Sequence, residues 1–272
     1  MPQVEECAKK MGLKIEEVKD NDSKLRLEVP PLRADIMQAC DIAEDIGIAY
    51  GYNNIPKVFP PTHTFGKQIP ENKFTDLLRH ELAQAGYIEC LTMSLISVKE
   101  SYDYLLKKPN MEEAVQISNP KTVEFEMVRT SLIPGLLKTL QSNASEALPQ
   151  KIFEISDVVL LDESQDTKAR NERRMAVMFL NTSSGFEIIH GILDLVMTKI
   201  GGRFGEEYKI EESDEPMYFQ KRGAKVNFKG KVIGSMGVLH PEVLGNYHLK
   251  YPVSCFEIRM AELFEHFKES QS

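Results

Sequence analysis

Residues 30–56, PPLRADIMQACDIAEDIGIAYGYNNIP, combine four acidic residues with apolar positions that recur at helical spacing. Glu44 and Asp45 lie three and four residues after Asp41, so both face it, and each such like-charge pair costs a helix about 0.2–0.5 kcal/mol. A divalent cation such as Mg²⁺ would reverse that cost, because hard cations take oxygen ligands. Exposed acids are common, however, and the spacing alone favours a solvated face in which Asp35 is only a helix N-cap.

The same stretch predicts where its helix begins and ends. Asp35 followed by Gln38 resembles a capping box with Asp in the Ser/Thr place, and Gly51 is a typical helix stop. The sequence before it predicts a helix over residues 3–12 and a strand over residues 25–29 that ends at two prolines. The predicted inward face of the acidic helix consists of Ile36, Cys40, Ala43, Ile46 and Tyr50.

A proline-rich segment divides the chain. Residues 55–72, IPKVFPPTHTFGKQIPEN, contain four prolines and one glycine, which is typical of a linker. We therefore predict a small module over 1–58, a linker over 59–72 and a larger domain over 73–272. In that domain strands outnumber helices in mixed order, which predicts an antiparallel α+β fold.

The sequence of the larger domain predicts the positions of several helices and strands. A helix is predicted from Lys73 to Gly86, and a second one near 131–143 is capped by Ser131. Residues 87–97 and KIFEISDVVLL read as strands, and a hairpin is predicted to turn at Lys229-Gly230. The first of these helices turns an apolar stripe inward: Phe74, Leu77, Leu78 and Leu82.

Composition excludes several functions. The net charge of −8 argues against a protein that mainly binds nucleic-acid phosphates. The sequence has neither a run of 18 apolar residues nor an apolar signal core, so we expect no membrane span and no secretion. The four cysteines form no CxxC pair, and phosphate-loop, GxGxxG and GxSxG motifs are absent. Arg129 and Glu154 could form a buried ion pair, although an exposed arginine is the commoner arrangement.

The chain resembles the β subunit of phenylalanyl-tRNA synthetase in its eukaryotic or archaeal cytosolic form. Residues 30–56 resemble the signature of the fifth module (B5) of that subunit, with a Pro-Arg-x-Asp-Ile start and a Tyr-Gly-Tyr-x-x-Ile-Pro end. The start here is Leu-Arg-Ala-Asp-Ile. The stretches SNPKTVEFEMVRTSLIPGLLKTLQSN, KIFEISDVV and GKVIGSMGVLHPEVLGNYHL resemble, in the same order, the catalytic-like domain that follows B5.

This resemblance implies a winged-helix-like B5 module, truncated at its start, and a class II synthetase-like domain. It implies a magnesium site on Asp35, Asp41, Glu44 and Asp45, the last being Asp where Glu is common in the family. It also implies a non-catalytic partner of the α subunit in an α2β2 ligase that uses ATP to charge tRNA with phenylalanine in the cytoplasm. The candidate subunit interface consists of two helices, the one near 73–85 that contains Phe74, Leu77 and Leu78, and the one near 131–143. Apolar stripes of this kind suit core burial equally well.

The resemblance also predicts that the domain has no active site. Class II motif 2 has Phe-Arg-x-Glu, and the corresponding place here is residues 159–162, Val-Leu-Leu-Asp, where leucine cannot donate a hydrogen bond to a phosphate. Motif 3 ends in Gly-x-Gly-x-Glu-Arg, whereas residues 255–260 are Cys-Phe-Glu-Ile-Arg-Met and lack both glycines. The alternatives are an independent amino-acid-activating enzyme, which these losses disfavour, and a stand-alone nucleic-acid-binding or regulatory module.

Overall fold

The structure is a computed structural model that describes residues 2–16, 25–62 and 66–271. The chain divides into two compact units, residues 1–66 and 67–272, and the division falls inside the segment predicted as a linker. Part of that segment, residues 63–65, lies outside the described residues. None of the described helices is long and apolar enough to cross a membrane.

The described residues of the first unit form two α-helices and one pair of short strands. The strands are antiparallel, with Ile15 opposite Leu27, and a single-turn 3₁₀ helix at Tyr52–Asn54 follows the second helix. The elements are α1 (Pro2–Lys10), β1 (Lys14–Glu16), β2 (Arg26–Glu28) and α2 (Ala39–Tyr50). The first strand of this pair was not predicted from the sequence.

Helix α2 begins three residues later than predicted, so the N-cap at Asp35 is wrong. Gln38 is the N-cap, and its capping box is closed by Asp41, which accepts the backbone N–H groups of Met37 and Gln38. The end at Gly51 is confirmed, with φ of 92° that glycine adopts without strain. The predicted apolar stripe is wrong at Cys40 and Ala43, which are exposed, whereas Ile36, Ile46 and Tyr50 are partly buried.

The second unit is a large sheet with helices on both faces. Its helices are α3 (Pro70–Gln84), α4 (Val98–Ser101), α5 (Ile133–Ser142), α6 (Phe186–Lys199), α7 (Pro241–Asn246) and α8 (Ala261–Gln271). Its strands are β3 (Ile88–Glu89), β4 (Leu95–Ile96), β5 (Met127–Val128), β6 (Gln150–Leu161), β7 (Ala169–Leu180), β8 (Tyr208–Glu212), β9 (Tyr218–Phe228), β10 (Lys231–Leu239) and β11 (Val253–Arg259).

Seven strands form the main sheet in the order β3-β6-β7-β11-β10-β9-β8, and β4 pairs with β5 separately. Every neighbouring pair in the main sheet is antiparallel except β3 with β6. The predicted antiparallel α+β domain is therefore confirmed. The hairpin of β9 and β10 turns at Lys229-Gly230, where both residues have positive φ, as a two-residue turn of this kind requires.

Two hydrophobic cores cover the two faces of the sheet, because alternate residues of each strand point to opposite sides. Phe256 joins the core beneath α3, α6 and α8, whereas its neighbour Cys255 joins the core beneath α5 and α7. Each large apolar side chain buried in this way contributes about 1.5–3 kcal/mol relative to an exposed one. The sheet is consequently held rigidly, and it positions the polar groups described below.

Some boundaries differ from the sequence prediction for local reasons. Helix α3 begins at Pro70, which suits the first turn because proline needs no N–H partner there. The strand predicted over 87–97 is two short strands, β3 and β4, joined by a loop. Leu132 rather than Ser131 is the N-cap of α5, although Ser131 Oγ accepts the N–H of Ile133 at 3.2 Å.

Candidate functional site

Arg33 lies among the acids of the first unit. Its guanidinium donates a two-pronged pair of hydrogen bonds to Asp35, at 3.0 and 2.8 Å, and approaches Asp45 Oδ2 at 2.5 Å. Its Nη1 donates to the carbonyl of Met11 at 2.7 Å. The side chains of Arg33 and Asp45 are only 22% and 12% exposed, so this contact lies largely out of solvent.

Two acids of this cluster, Asp35 and Asp41, are stabilised in their charged form by hydrogen bonds from the chain itself. The hydrogen bonds from Arg33 hold the pKa of Asp35 below its usual value. The backbone N–H groups of Met37 and Gln38, at 2.8 and 3.0 Å from Asp41 Oδ2, lower the pKa of Asp41 in the same way.

The donor set does not fit a shared magnesium ion in this arrangement. Asp35 and Asp45 face Arg33, Asp41 faces the helix start, and Glu44 is exposed. Within the described parts of the chain, no group of three or more His, Cys, Asp or Glu side chains is placed to hold a metal ion. The magnesium site therefore stays a prediction, and we derive no chemistry from it.

The predicted interface residues divide between core and surface. Phe74 and Leu78 are buried, and the Phe74 ring packs on Phe264 and Phe267 of α8 with centroids 5.6 and 5.0 Å apart. Leu77 is 46% exposed. Of the three residues, only Leu77 is free to contact another chain without rearrangement of the core.

A larger exposed apolar surface lies on and after the edge strand β3. Ile88, Leu91 and Met93 are 69%, 83% and 68% exposed, and we call these three residues the edge surface. Two cavities, about 560 and 260 Å³, lie along it and share Thr139 and Asn143 of the α5 region in their lining. Exposed apolar groups at a sheet edge mark a surface that another chain can cover.

A buried ion pair joins the segment before α5 to the sheet. Arg129 Nη1 lies 2.8 Å from Glu154 Oε1, and the two residues are 5% and 1% exposed. Thr92 and Ser156 donate hydroxyl hydrogen bonds to the same carboxylate at 2.7 and 2.8 Å. The pair suggested by the sequence is confirmed as a buried one.

A second polar group on the same sheet face was missed by sequence reasoning. Glu257 accepts the N–H of Leu132 at 2.6 Å and the hydroxyl of Ser131 at 2.9 Å. Arg174 lies between Glu172, at 2.7 Å, and Glu257, at 3.5 Å. Burial pushes the pKa of Glu172 upward, but Arg174 and Arg170 outweigh it and hold that pKa below its ordinary value.

These contacts occupy the places that correspond to the class II motifs. Phe256 is in the core, Glu257 binds the start of α5, and Arg259 is bonded to Glu262 and to the carbonyl of Val232. Residues 159–162 end β6, where Leu160 is buried and Leu161 is exposed. Arg259, Glu257 and Arg174 line a cavity of about 280 Å³. Residues 159–162 contain no arginine, so the motif 2 arginine that would bind an adenylate phosphate is absent from that place.

The fold agrees with a known class of protein. A pyrrolysyl-tRNA synthetase structure from Desulfitobacterium hafniense superposes with a TM-score of 0.59 at 14% identity, covering 73% of this chain and 69% of that one. The chain thus has a class II synthetase-like fold.

The sequence comparisons are more specific. The model of the phenylalanyl tRNA synthetase beta chain CLM domain matches residues 55–260, and that of the tRNA synthetase B5 domain matches residues 1–52. The chain is 45% identical over 254 residues to the human phenylalanine–tRNA ligase beta subunit and 48% identical over 245 residues to the Drosophila melanogaster one. Those matches cover 92% and 88% of this chain but 43% and 41% of the relatives.

The chain belongs to the phenylalanyl-tRNA synthetase beta-chain family. A further relative, 40% identical over 270 residues, is the cytoplasmic beta subunit of Arabidopsis thaliana. The chain spans less than half the length of these curated relatives, so the activity and partners of the whole subunit are treated below as proposals.

Proposed function

We propose that this chain acts as the C-terminal part of the β subunit of phenylalanine–tRNA ligase, as a non-catalytic partner of the α subunit. The observation that supports this role most directly is that the chain's own groups occupy the carboxylates on the sheet face. Glu154 and Glu257 are bound there by Arg129, Ser131 and the N–H of Leu132. With these carboxylates occupied and leucine at the place of the motif 2 arginine, we expect the chemistry, the ATP and the phenylalanine to belong to the α subunit.

The edge surface is the place where we expect the α subunit to bind. Ile88, Leu91 and Met93 are the exposed apolar group beside β3, and Leu77 adds a fourth apolar side chain on α3. Arg79 of α3 forms an ion pair with Glu89 of β3, with Nε 2.6 Å from Oε1, and this contact joins the helix to the edge strand. Two such contacts in an α2β2 assembly would bury these side chains.

We expect the first unit to contact tRNA in the assembled ligase. Its family match and its helix-strand-strand-helix order support a winged-helix-like module, a fold of the kind that contacts nucleic acid. The assembled ligase would work in the cytoplasm, as the name of the Arabidopsis relative states for that protein. The rival function, a stand-alone nucleic-acid-binding or regulatory module, predicts strong and salt-dependent tRNA binding by the isolated chain.

Co-purification with the α subunit tests the proposed contact. Leu91→Asp combined with Met93→Asp places two charges on the edge surface, and we expect it to reduce recovery of tagged α subunit at least tenfold. Val232→Asp is the matched control, because Val232 is also an exposed apolar residue but lies on β10. That strand is four places from β3 in the sheet, roughly 19 Å away at the usual strand spacing.

The outcomes separate the candidate functions. Circular dichroism verifies that the edge-surface variant is folded like wild type. If both then recover equal amounts of α subunit, the edge surface is not the contact. Phenylalanine-dependent ATP–pyrophosphate exchange by the chain alone would contradict the non-catalytic role. Tight tRNA binding without any α-subunit binding would favour the stand-alone module.

A further inference from the structure

The acidic group of the first unit already contains a cation, the guanidinium of Arg33. This group reaches three separate segments: the carbonyl of Met11 after α1, the carboxylate of Asp35 in the loop, and the carboxylate of Asp45 on α2. All of these contacts are between 2.5 and 3.2 Å. Arg33 therefore joins both helices and the intervening loop.

Geometry and charge make Arg33 a competitor of a divalent cation. Its planar fork matches one carboxylate with two parallel bonds, as it does with Asp35, and leaves further donors for Asp45 and Met11. Magnesium would need oxygen ligands in a nearly octahedral shell. A cation placed between Asp35 and Asp45 would lie beside the guanidinium and be repelled by it.

The other two acids do not restore a metal site. Asp41 is engaged with the N–H groups of Met37 and Gln38, where it starts α2, and a metal would have to displace those bonds. Glu44 alone remains exposed on the helix. A single exposed carboxylate with no second oxygen ligand or phosphate beside it does not make a built magnesium site.

We propose that Arg33 is the resident cation of the first unit, and that it organises α1, the loop and α2 without magnesium. The assignment is independent of the proposed function, since it concerns only contacts within residues 1–66. It predicts that magnesium has no effect on the order of this unit and that removal of the guanidinium has a large one.

Hydrogen exchange of the intact chain, read by mass spectrometry on peptides covering residues 37–52, tests the assignment. In wild type we expect equal exchange with millimolar magnesium and with EDTA. Arg33→Met, which keeps an apolar stem but removes the guanidinium and its charge, should accelerate exchange there at least tenfold while peptides of the second unit stay unchanged. Arg26→Met is the matched control, because Arg26 is an exposed arginine on β2 of the same unit.

Two results would overturn the assignment. One is a protection of the wild-type amides of residues 37–52 against exchange that falls in EDTA and returns with magnesium. The other is exchange of these amides in Arg33→Met that is no faster than in Arg26→Met. Because Arg33→Met could unfold the unit for another reason, wild-type protein should also be titrated with Mn²⁺ and followed by electron paramagnetic resonance. Absence of a stoichiometric site supports the assignment, and a site that Asp41→Asn abolishes contradicts it.

Discussion

Replacement of Arg129 by methionine tests whether the buried ion pair organises the sheet face. Methionine keeps the apolar stem but removes four hydrogen bonds: to the carbonyl of Asp157 at 3.1 Å, to the carbonyl and Oγ1 of Thr92 at 3.4 and 2.9 Å, and to Glu154 Oε1 at 2.8 Å. Loss of one partner of a buried pair costs about 3–5 kcal/mol, because the other charge stays buried. Thr92 and Ser156 still donate to Glu154, so we expect the lower end, about 3 kcal/mol.

The assay is urea unfolding of the intact chain, followed by circular dichroism. With a slope of about 2 kcal/mol per M, a loss of about 3 kcal/mol shifts the transition of the second unit by roughly 1.5 M. Arg79→Met is the control, because the Arg79–Glu89 pair is partly exposed and such pairs contribute only about 0–1 kcal/mol.

A double variant separates the pair from its surroundings. Arg129→Met combined with Glu154→Gln removes the charge that the single variant leaves behind, and we expect it to regain part of the lost stability. A shift for Arg129→Met no larger than that of Arg79→Met would refute the argument that the buried pair organises this face.

Further predictions concern the core, the acids and the thiols. Phe74→Ala should cost about 3–5 kcal/mol in the same urea assay, whereas Leu77→Ala, at an exposed position, should stay within about 1 kcal/mol. The hydrogen bonds that lower the pKa of Asp41 stabilise α2 fully above the pKa of Asp41 in the unfolded chain, about 4. This stabilisation is lost as the pH falls through the lower pKa of Asp41 in the folded chain. NMR shifts of the α2 amides that titrate above pH 4 would contradict this prediction. Burial raises the pKa of the Cys255 thiol, so Cys40, which is exposed, should react with a thiol reagent in the folded chain and Cys255 should not.

Much of the fold could be predicted because its signals are local. The hairpin at Lys229-Gly230 and the end of α2 at Gly51 follow from the backbone freedom of glycine, and the long strands β6 and β7 follow from apolar runs. The resemblance of residues 30–56 to the family signature also identified the family correctly.

The remainder depends on contacts between distant residues. Asp35 matched a helix cap by spacing, but Arg33 binds it, and Arg33 is itself fixed by the carbonyl of Met11, 22 positions earlier. Ser131 and Glu257 are 126 positions apart, so no local pattern connects them. Phe74 and Leu77 share one apolar stripe, and only the packing of α8 determines which of them is buried.

Native mass spectrometry of this chain co-expressed with the α subunit of phenylalanine–tRNA ligase is a direct test of the proposed role. We expect a complex that contains both chains, at a mass that fits two copies of each, and we expect it to be lost when Leu91 and Met93 are replaced by aspartate. Separate α subunit and separate, folded chain at micromolar concentration would contradict the proposed role.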